Sequence, residues 1–433
     1  MLDLKYLADN TFILFMLGYI FIYENTQYMF GITNIKECYT NIINRSIKYN
    51  VLIVKIMQAL TAKHNVLPEI HAVLTENTHN VKYDEEELDQ LLLDNICKNY
   101  KITLHDNKPF HSGMISVVYL GELDNGKKVV IKMKRNNIAN RIKFGSDNVN
   151  FIYSLLRTIF ACNSKMISQL ESLKSITKTQ EYLISQCDFG KEIDALITTK
   201  EEISQYSICN NVVIPHVYNT EEDIQSAEFI IMEFLEGKFS SEITDDIERK
   251  VYYKILCTFM TLHFWYCKYY HTDLHNGNII CINDNGTYKI GIIDFGMNIK
   301  INNDIRKILT MVVELNYTTG LENSHLSKYI NSILTSPIDI NELTKQQTTV
   351  LDNCLIELAL QMQKGSLNEQ VVDNEYRKMA NVLTPQFEFV FNIDFILLLL
   401  GVSMGNSSAF TLVNHNKQII EDTMKEVYFE MME

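Results

Sequence analysis

The spacing of apolar residues changes along the chain and predicts three parts. In residues 1–105 apolar positions recur at mixed, mostly helical spacing, which predicts a helical extension. Residues 106–237 combine short strand-like runs with a long helical stretch, and residues 238–433 are mostly helical apart from a short apolar strand. A small sheet-bearing lobe followed by a large helical lobe predicts an α+β protein with two lobes and an N-terminal extension.

A hairpin is the clearest local prediction. Ile115–Leu120 and Val129–Met133 are apolar, strand-like runs on either side of Asp124-Asn125-Gly126, a sequence typical of a tight turn. Val212–Val217 and Phe229–Phe234 predict two further strands after the long helical stretch.

Two apolar runs bear on membrane contact. Thr11–Tyr23 spans 13 residues, below the about 20 that a bilayer-spanning helix needs, so we expect a buried helix. A helix lying in a membrane interface is the alternative. Phe395–Val402 predicts a core helix. Asp3 and Asp9 precede the first arginine, Arg45, which argues against a mitochondrial leader, and no secretory cleavage pattern is evident.

The amino-acid composition limits which binding partners and which cellular environment we expect. Thirty-nine Lys and Arg against 53 Asp and Glu give a net charge of −14, which argues against nucleic acid as a partner. The nine cysteines are scattered, without a Cys-x-x-Cys pair, which favours a reducing interior over a disulfide framework or a zinc site. We therefore expect an intracellular, cytoplasmic protein, with peripheral membrane contact through the first apolar run as an option.

A phosphoryl-transfer motif lies in the second half of the chain. His271–Asn278 spells His-Thr-Asp-Leu-His-Asn-Gly-Asn, and Asp294-Phe295-Gly296 begins sixteen positions after Asn278. The spacing His-x-Asp-x-x-x-x-Asn matches the catalytic loop of protein kinases. It predicts Asp273 as the base or water-orienting carboxylate, and Asn278 and Asp294 as ligands of Mg²⁺ bound with ATP.

Lys132 is the candidate phosphate-binding lysine. Val-Val-Ile-Lys at 129–132 resembles the kinase strand whose lysine contacts phosphates and pairs with a helix glutamate. We propose Glu192 as that partner; Asp188 lies four residues earlier and would share its helix face. The alternatives are an exposed edge lysine and a solvated acidic helix face.

The ordered series of motifs resembles the AarF/UbiB-type atypical kinases over residues 45–410. Those proteins carry a Lys-x-Gly-Gln helix, which Lys55-Ile56-Met57-Gln58 resembles with Met57 in place of glycine. Their Glu-x-Asp segment resembles Gln186, Asp188 and Glu192, with Gln186 in place of the first carboxylate. The resemblance implies that Lys55, Gln58, Gln186 and Asp188 form a lid over the site.

The resemblance also implies the nucleotide contacts. The family's alanine-rich phosphate loop is similar to residues 109–118, where Gly113 stands in place of alanine and is followed by Ser116 and Val118. Its hinge is similar to residues 229–237, which implies Met232 as gatekeeper and Glu233 and Leu235 as backbone contacts for adenine.

The sequence leaves three functions open. The leading one is an ATP- and Mg²⁺-dependent atypical kinase or ATPase whose acceptor is a small molecule, a lipid or a protein. Small-molecule kinases of the aminoglycoside or choline type also use a His-x-Asp-Leu-His-x-Gly-Asn loop, and a nucleotide-binding module without catalysis would keep the same fold. No Ala-Pro-Glu segment follows Gly296, so protein substrates are not the first expectation.

Overall fold

A computed structural model describes residues 4–54, 73, 81–159, 180–301, 303–306, 326–363, 367, 369–383 and single positions between 391 and 430. The chain divides into two compact units, residues 1–190 with 218–234, and residues 191–217 with 235–433. The predicted three-part division, with boundaries after residues 105 and 237, stays a prediction.

The described helices are α1 (Leu4–Met29), α2 (Ile35–Ser46), α3 (Gln90–Tyr100), α4 (Ile138–Ile159), α5 (Gln180–Ser185), α6 (Phe189–Ile203), α7 (Glu221–Ser226), α8 (Asp246–Tyr266), α9 (Lys345–Gln363) and α10 (Glu369–Leu383). The described strands are β1 (Ile102–Leu104), β2 (His111–Ser112), β3 (Ser116–Leu123), β4 (Lys128–Lys134), β5 (Val212–Val213), β6 (Phe229–Glu233), β7 (Lys238–Phe239), β8 (Tyr269–His271), β9 (Ile279–Asp284), β10 (Thr287–Ile292) and β11 (Asn298–Lys300).

The first unit is built on a five-stranded antiparallel sheet. Its strands run in the order β1-β3-β4-β6, and β2 pairs with β3. The predicted hairpin is confirmed as β3 and β4, in which Tyr119 lies opposite Ile131. Leu93 and Ile96 of α3 pack on this sheet, because alternating strand residues turn one apolar face towards that helix.

The second unit contains more strand than the sequence predicts. Its sheet has the order β5-β10-β9-β7, and β11 pairs with β8 in a second, two-stranded sheet. The mostly helical pattern predicted after residue 237 is therefore wrong for residues 267–300, whereas α8 agrees with it. The cause is that these strands are two to six residues long, too short for a periodic signal.

The strand predicted at Val212–Val217 is shorter than expected. Only Val212 and Val213 form a strand, and they pair in parallel with β10. Pro215 follows two residues later and has no backbone N–H to donate, so it cannot continue a hydrogen-bonded ladder.

The second apolar run of the sequence lies in the core, as predicted. The described positions Phe395, Leu398, Leu399 and Val402 are helical and buried. We refer to residues 395–413 as the C-terminal segment.

The N-terminal helix differs from its prediction. Helix α1 is 26 residues long, and Leu7–Met29 has the length and composition of a membrane-crossing helix, which no other described helix has. It is also not a buried helix, since Phe15 is 68% and Ile22 67% exposed. Its buried face is mixed and carries Asn10 and Glu24 together with Ile13 and Ile20.

Two buried polar residues attach α1 to neighbouring helices. Glu24 is buried and forms an ion pair of 2.5 Å with Arg45 of α2. Buried Asn10 accepts a hydrogen bond from Asn148 of α4 at 3.1 Å. Because these polar groups have partners inside the unit, burying them is tolerated and the large apolar side chains are left outside.

Candidate active site

The candidate catalytic loop, His271–Asn278, runs between β8 and β9. His271 ends β8 and faces Asn298 of β11, and the backbone N–H of Thr272 donates to the carbonyl of Met297 at 2.9 Å. The loop then turns through a single helical turn, Asn276–Asn278, into β9. This pairing brings the loop beside the residues that follow Asp294.

The register of the larger sheet brings the two predicted metal ligands to one edge. Ile279, next to Asn278, lies opposite Ile292 of β10, and the N–H of Ile293 donates to the carbonyl of Asn278 at 3.2 Å. Asn278 therefore precedes β9 at the edge where Asp294 follows β10.

Asp273 is fixed through its backbone. Its carbonyl accepts hydrogen bonds from the side-chain amide of Asn278 at 2.9 Å and from the backbone N–H of His275 at 2.8 Å. Because Asn278 uses its Nδ2 for this bond, the amide orientation is set and Oδ1 points away from that carbonyl.

Two buried imidazoles accept hydrogen bonds from backbone N–H groups of the loop. The N–H of Asp273 donates to Nδ1 of His271 at 3.1 Å, and the N–H of His271 donates to Nε2 of His263 in α8 at 2.8 Å. Burial lowers the pKa of His271 to about 4. Burial, together with His271 and Arg306, holds the pKa of His263 well below its usual value. Both rings are therefore neutral acceptors at pH 7. The sequence analysis missed His263.

Stacking fixes the ring of His263. It lies between Phe259 at 4.8 Å and Tyr270 at 5.4 Å, with interplanar angles of 17° and 25°. The acceptor nitrogen beneath His271 is consequently held in one orientation.

His275 lies beside Asp273 but points its other nitrogen into the turn. Its Nε2 is 3.9 Å from Oδ2 of Asp273, and its Nδ1 accepts from the N–H of Gly277 at 3.0 Å.

Gly296 brings two acidic side chains close together. Its N–H donates to Oδ1 of Asp294 at 2.8 Å. A Cβ built on Gly296 would lie 3.0 Å from that oxygen and 3.2 Å from Oε2 of Glu192. The glycine therefore leaves room for the carboxylates of Asp294 and Glu192 around one backbone position.

The donor chemistry of this edge suits magnesium. Asn278 and Asp294 offer amide and carboxylate oxygens, the ligand type that Mg²⁺ prefers when substrate phosphates complete its shell.

Lys132 lies in the middle of the first unit's sheet. It is on β4, opposite Val118 of β3 and Ile230 of β6, and is 7% exposed. It is therefore not an exposed edge lysine. Its Nζ is 5.5 Å from the ring centroid of Phe189, a buried residue whose contact with this lysine the sequence analysis missed.

The acidic residues around α6 occupy different environments. Glu192 lies in the first turn and is 2% exposed, so a solvated acidic face is excluded. Asp188 precedes the helix, which corrects the prediction that both carboxylates lie on its face. A helix N-terminus attracts carboxylates, which accounts for both positions. Gln186 is buried in the preceding turn. The pairing of Lys132 with Glu192 stays a prediction.

The proposed phosphate loop is tied to its own unit by Arg135. The guanidinium donates to Oγ of Ser112 at 2.6 Å and pairs with Glu87 at 2.8 Å, and the N–H of Arg135 donates to the carbonyl of Ile115 at 2.9 Å. Arg135 is three residues beyond Lys132, but the sequence carries no motif that indicates this network.

The loop itself forms a tight turn. The N–H of Gly113 donates to the carbonyl of Ser116 at 2.9 Å. Ser116 is buried at the start of β3, where Val118 follows on the same strand. The roles of Gly113, Ser116 and Val118 towards ATP stay predictions.

The proposed hinge follows β6. Met232 is 5% exposed and lies opposite Val130, and Glu233 lies opposite Val129. A Cβ built on Gly291 would meet Leu235 at 2.5 Å, so the Leu235 side chain packs on β10. Lys55 and Gln58, the predicted lid residues, lie outside the described part of the chain.

Comparison with known families assigns the chain. A family model described as "ABC1 atypical kinase-like domain" matches residues 77–323, more than half of the chain. The chain belongs to this family, which confirms the resemblance to AarF/UbiB-type atypical kinases and the α+β, protein-kinase-like fold.

Two curated relatives are similar to the chain at about a quarter sequence identity. The chain is 25% identical over 324 residues to the mitochondrial atypical kinase COQ8 of Saccharomyces cerevisiae, covering 68% of this chain and 60% of that protein. It is 24% identical over 217 residues to an uncharacterized protein of Synechocystis, covering 47% of this chain and 50% of that one. The chain thus spans about half to three fifths of the length of these relatives.

Solved structures are similar at low identity. A Mycobacterium tuberculosis protein, Rv3197, in complex with erythromycin has a TM-score of 0.42 and 14% identity, covering 82% of this chain and 87% of that one. The Rio2 kinase complex with ADP/Mg²⁺ and phosphoaspartate from Chaetomium thermophilum has a TM-score of 0.32 and 11% identity, covering 88% and 94%.

Proposed function

We propose that this protein is an ATP- and Mg²⁺-dependent phosphoryl-transfer enzyme, a kinase or an ATPase. The observation that carries the proposal is the arrangement around residues 271–278. Asn278 donates through its side chain to the carbonyl of Asp273 and precedes β9 at the edge where Asp294 follows β10. Membership of an atypical kinase-like family supports it.

Each residue has a proposed role that its surroundings support. Asp273 accepts a proton from the acceptor hydroxyl or orients a water, because its backbone is held on both sides while its carboxylate is 21% exposed. Asn278 and Asp294 would hold Mg²⁺, which when bound supplies positive charge against the phosphate oxygens.

The nucleotide contacts are proposed from the sequence motifs. Lys132 contacts the phosphates and Glu192 fixes it, while Gly113, Ser116 and Val118 cover the phosphates. Met232, Glu233 and Leu235 contact adenine. The acceptor is a small molecule, a lipid or a protein.

Magnesium-dependent ATP turnover tests this function. We expect the wild-type protein to release phosphate from ATP with Mg²⁺ and not with EDTA. Asp294→Asn should bind MgATP at least about tenfold more weakly, because one carboxylate ligand becomes an amide. Asp284→Asn, a change on the exposed end of β9, is the matched control and should leave binding unchanged. Equal MgATP affinity in Asp294→Asn and Asp284→Asn would reject the metal assignment.

We also propose that α1 contacts a lipid surface. Its outer face carries Phe12, Phe15, Tyr19 and Ile22, which are 46–68% exposed, while buried Glu24 is neutralised by Arg45. Exposed aromatic and aliphatic side chains on an uncharged face are typical of helices that enter the headgroup region.

Sedimentation with anionic liposomes tests this contact. Phe15→Ser combined with Ile22→Ser should abolish co-sedimentation, because the buried apolar area is lost. Leu91→Ser, at a residue of α3 that is 78% exposed, is the control and should sediment like the wild type. Equal sedimentation of all three proteins would reject the membrane contact.

A further inference from the structure

The catalytic loop touches a part of the chain that the family domain does not include. The family match ends at residue 323, whereas Gly401 of the C-terminal segment lies against Thr272. A Cβ built on Gly401 would lie 2.6 Å from Cα, 3.1 Å from Cβ and 3.2 Å from the carbonyl carbon of Thr272. The helix backbone therefore meets the loop backbone directly.

The same segment touches the other neighbour of Asp273. A Cβ built on Gly405, one turn beyond Gly401, would lie 3.7 Å from Cδ2 of Leu274 and 2.9 Å from Cε of Met260. Thr272 and Leu274 are 2% and 3% exposed. Both residues that flank Asp273 are thus in contact with helical positions of the C-terminal segment.

The contact completes the support of the loop. On its other side, Thr272 donates to the carbonyl of Met297, before β11. The Thr272 backbone therefore contacts both Met297, next to β11, and the C-terminal segment, and a shift of that segment would displace Thr272 or open a void. Interiors at native density transmit such shifts because they do not absorb them in free volume.

We propose that the C-terminal segment positions Asp273, with Gly401 as the positioning residue. The proposal rests on the function proposed above. Gly401 acts by letting the helix reach the backbone of Thr272, which sets where the Asp273 carboxylate lies relative to the reacting phosphate. A misplacement of about 1 Å in such a group can cost about a hundredfold in rate.

The direction of the stability change in Gly401→Ala distinguishes the backbone contact from the effect of helix propensity. Alanine is a better helix former than glycine, so propensity alone predicts that Gly401→Ala stabilises the segment. The contact predicts the opposite, because a methyl group 2.6 Å from a backbone Cα cannot be accommodated by rotating a side chain.

Three matched glycine-to-alanine variants test the proposal. Gly18 of α1 has nothing within 4 Å of its built Cβ, Gly405 meets the flexible end of Met260, and Gly401 meets backbone. The readouts are kcat and KM for ATP turnover, and hydrogen exchange of the amides in residues 271–278.

Gly401→Ala should lower kcat about 10- to 100-fold, leave KM for ATP within about twofold, and speed exchange in residues 271–278. Gly405→Ala should show a smaller effect and Gly18→Ala none. Unchanged kcat and unchanged exchange in Gly401→Ala would overturn the proposal. Exchange that becomes faster in α9 and α10 as much as in residues 271–278 would also overturn it, because it would indicate general unfolding. If the wild type turns over no ATP, the proposed function fails, and the exchange measurement still decides the contact.

Discussion

At the scale of single residues, two glycines of the candidate site differ in the space available for a side chain. A Cβ at Gly296 would be pressed against Asp294 and Glu192 at 3.0 and 3.2 Å, whereas a Cβ at Gly113 would meet only the Ser116 carbonyl at 3.7 Å. Neither backbone is left-handed. The two positions should therefore respond differently to the same substitution.

Gly296→Ala should weaken MgATP binding at least about tenfold, because displacing Asp294 disturbs a proposed metal ligand and the cost of overpacking is about 1–3 kcal/mol. Isothermal titration with MgATP measures it. MgATP binding equal to that of the wild type would contradict the close placement of the two carboxylates.

Gly113→Ala should fold normally and raise the free energy of unfolding by about 0.4–1 kcal/mol, because alanine restricts the unfolded chain. A stiffer loop should also change nucleotide affinity, since glycine at this position is expected to ease the approach of ATP phosphates. Denaturant unfolding and nucleotide titration are the measurements. Unaltered affinity would refute the expected role of the Gly113 backbone.

The buried His263 predicts a pH dependence of stability. Its pKa is lower in the folded protein than the usual 6.5, so the unfolded state binds the proton more readily. Its contribution to stability is therefore fully present above pH 6.5 and is lost as the pH falls below it, by up to about 1.4 kcal/mol per pH unit.

His263→Phe removes this dependence and also leaves the N–H of His271 without its acceptor. The free-energy gap between wild type and variant should be about 1–3 kcal/mol at pH 7.5 and should narrow as the pH falls from 6.5 to 5. Urea unfolding at several pH values measures the gap. A gap that stays constant with pH would show that His263 does not stay neutral in the fold.

At the scale of elements, Arg135 joins the end of β4 to the phosphate loop and to residues 81–87. Its side chain is fully buried, and burial lowers its pKa while Glu87 opposes that shift. Glu87 also pairs with Arg141 at 2.7 Å, so removing Arg135 would not leave its charge alone. The loss would fall on the buried carbonyl of Val81 and Oγ of Ser112, which would lose their donor, and on the cavity that remains. The first unit should therefore depend strongly on this arginine.

Arg135→Ala should lower the free energy of unfolding by about 2–4 kcal/mol, because buried acceptors lose their donor and a cavity remains. Lys48→Ala removes an exposed 2.8 Å pair with Asp84 and should cost less than about 1 kcal/mol. Thermal and denaturant unfolding of the two variants make the comparison. Equal losses would contradict the view that Arg135 fastens the loop.

The elements also show what sequence reasoning could and could not reach. The sequence predicts Asp273, Asn278 and Asp294 because phosphoryl transfer demands those side chains at fixed spacing. The hairpin of β3 and β4 was identified because its turn residues act locally. His263, Phe189 and Gly401 act through contacts between separated parts of the chain, which no local pattern encodes.

The buried face of the N-terminal helix could not be predicted from the local sequence either. Thr11–Tyr23 predicts a buried helix because its residues are apolar. Only Ile13 and Ile20 of this run are buried, beside Asn10 and Glu24, which have partners on α4 and α2. Which face of a helix is buried depends on those partners, and they lie outside the local sequence.

At the scale of the whole molecule, the family domain and the flanking segments have separate expected contributions. Residues 77–323 match the atypical kinase-like domain, while α1 precedes this match and the C-terminal segment follows it. The domain supplies the proposed chemistry, α1 a proposed contact with lipid, and the C-terminal segment a proposed support for Asp273. Variants in the three parts should therefore separate turnover, lipid binding and loop order.

The central claim is that Asp273 drives phosphoryl transfer from ATP, and steady-state turnover of Asp273→Asn beside Asp284→Asn tests it most directly. We expect Asp273→Asn to lower kcat by about 100- to 10,000-fold with little change in KM for ATP, and Asp284→Asn to match the wild type. Turnover by Asp273→Asn at the wild-type rate would contradict the account.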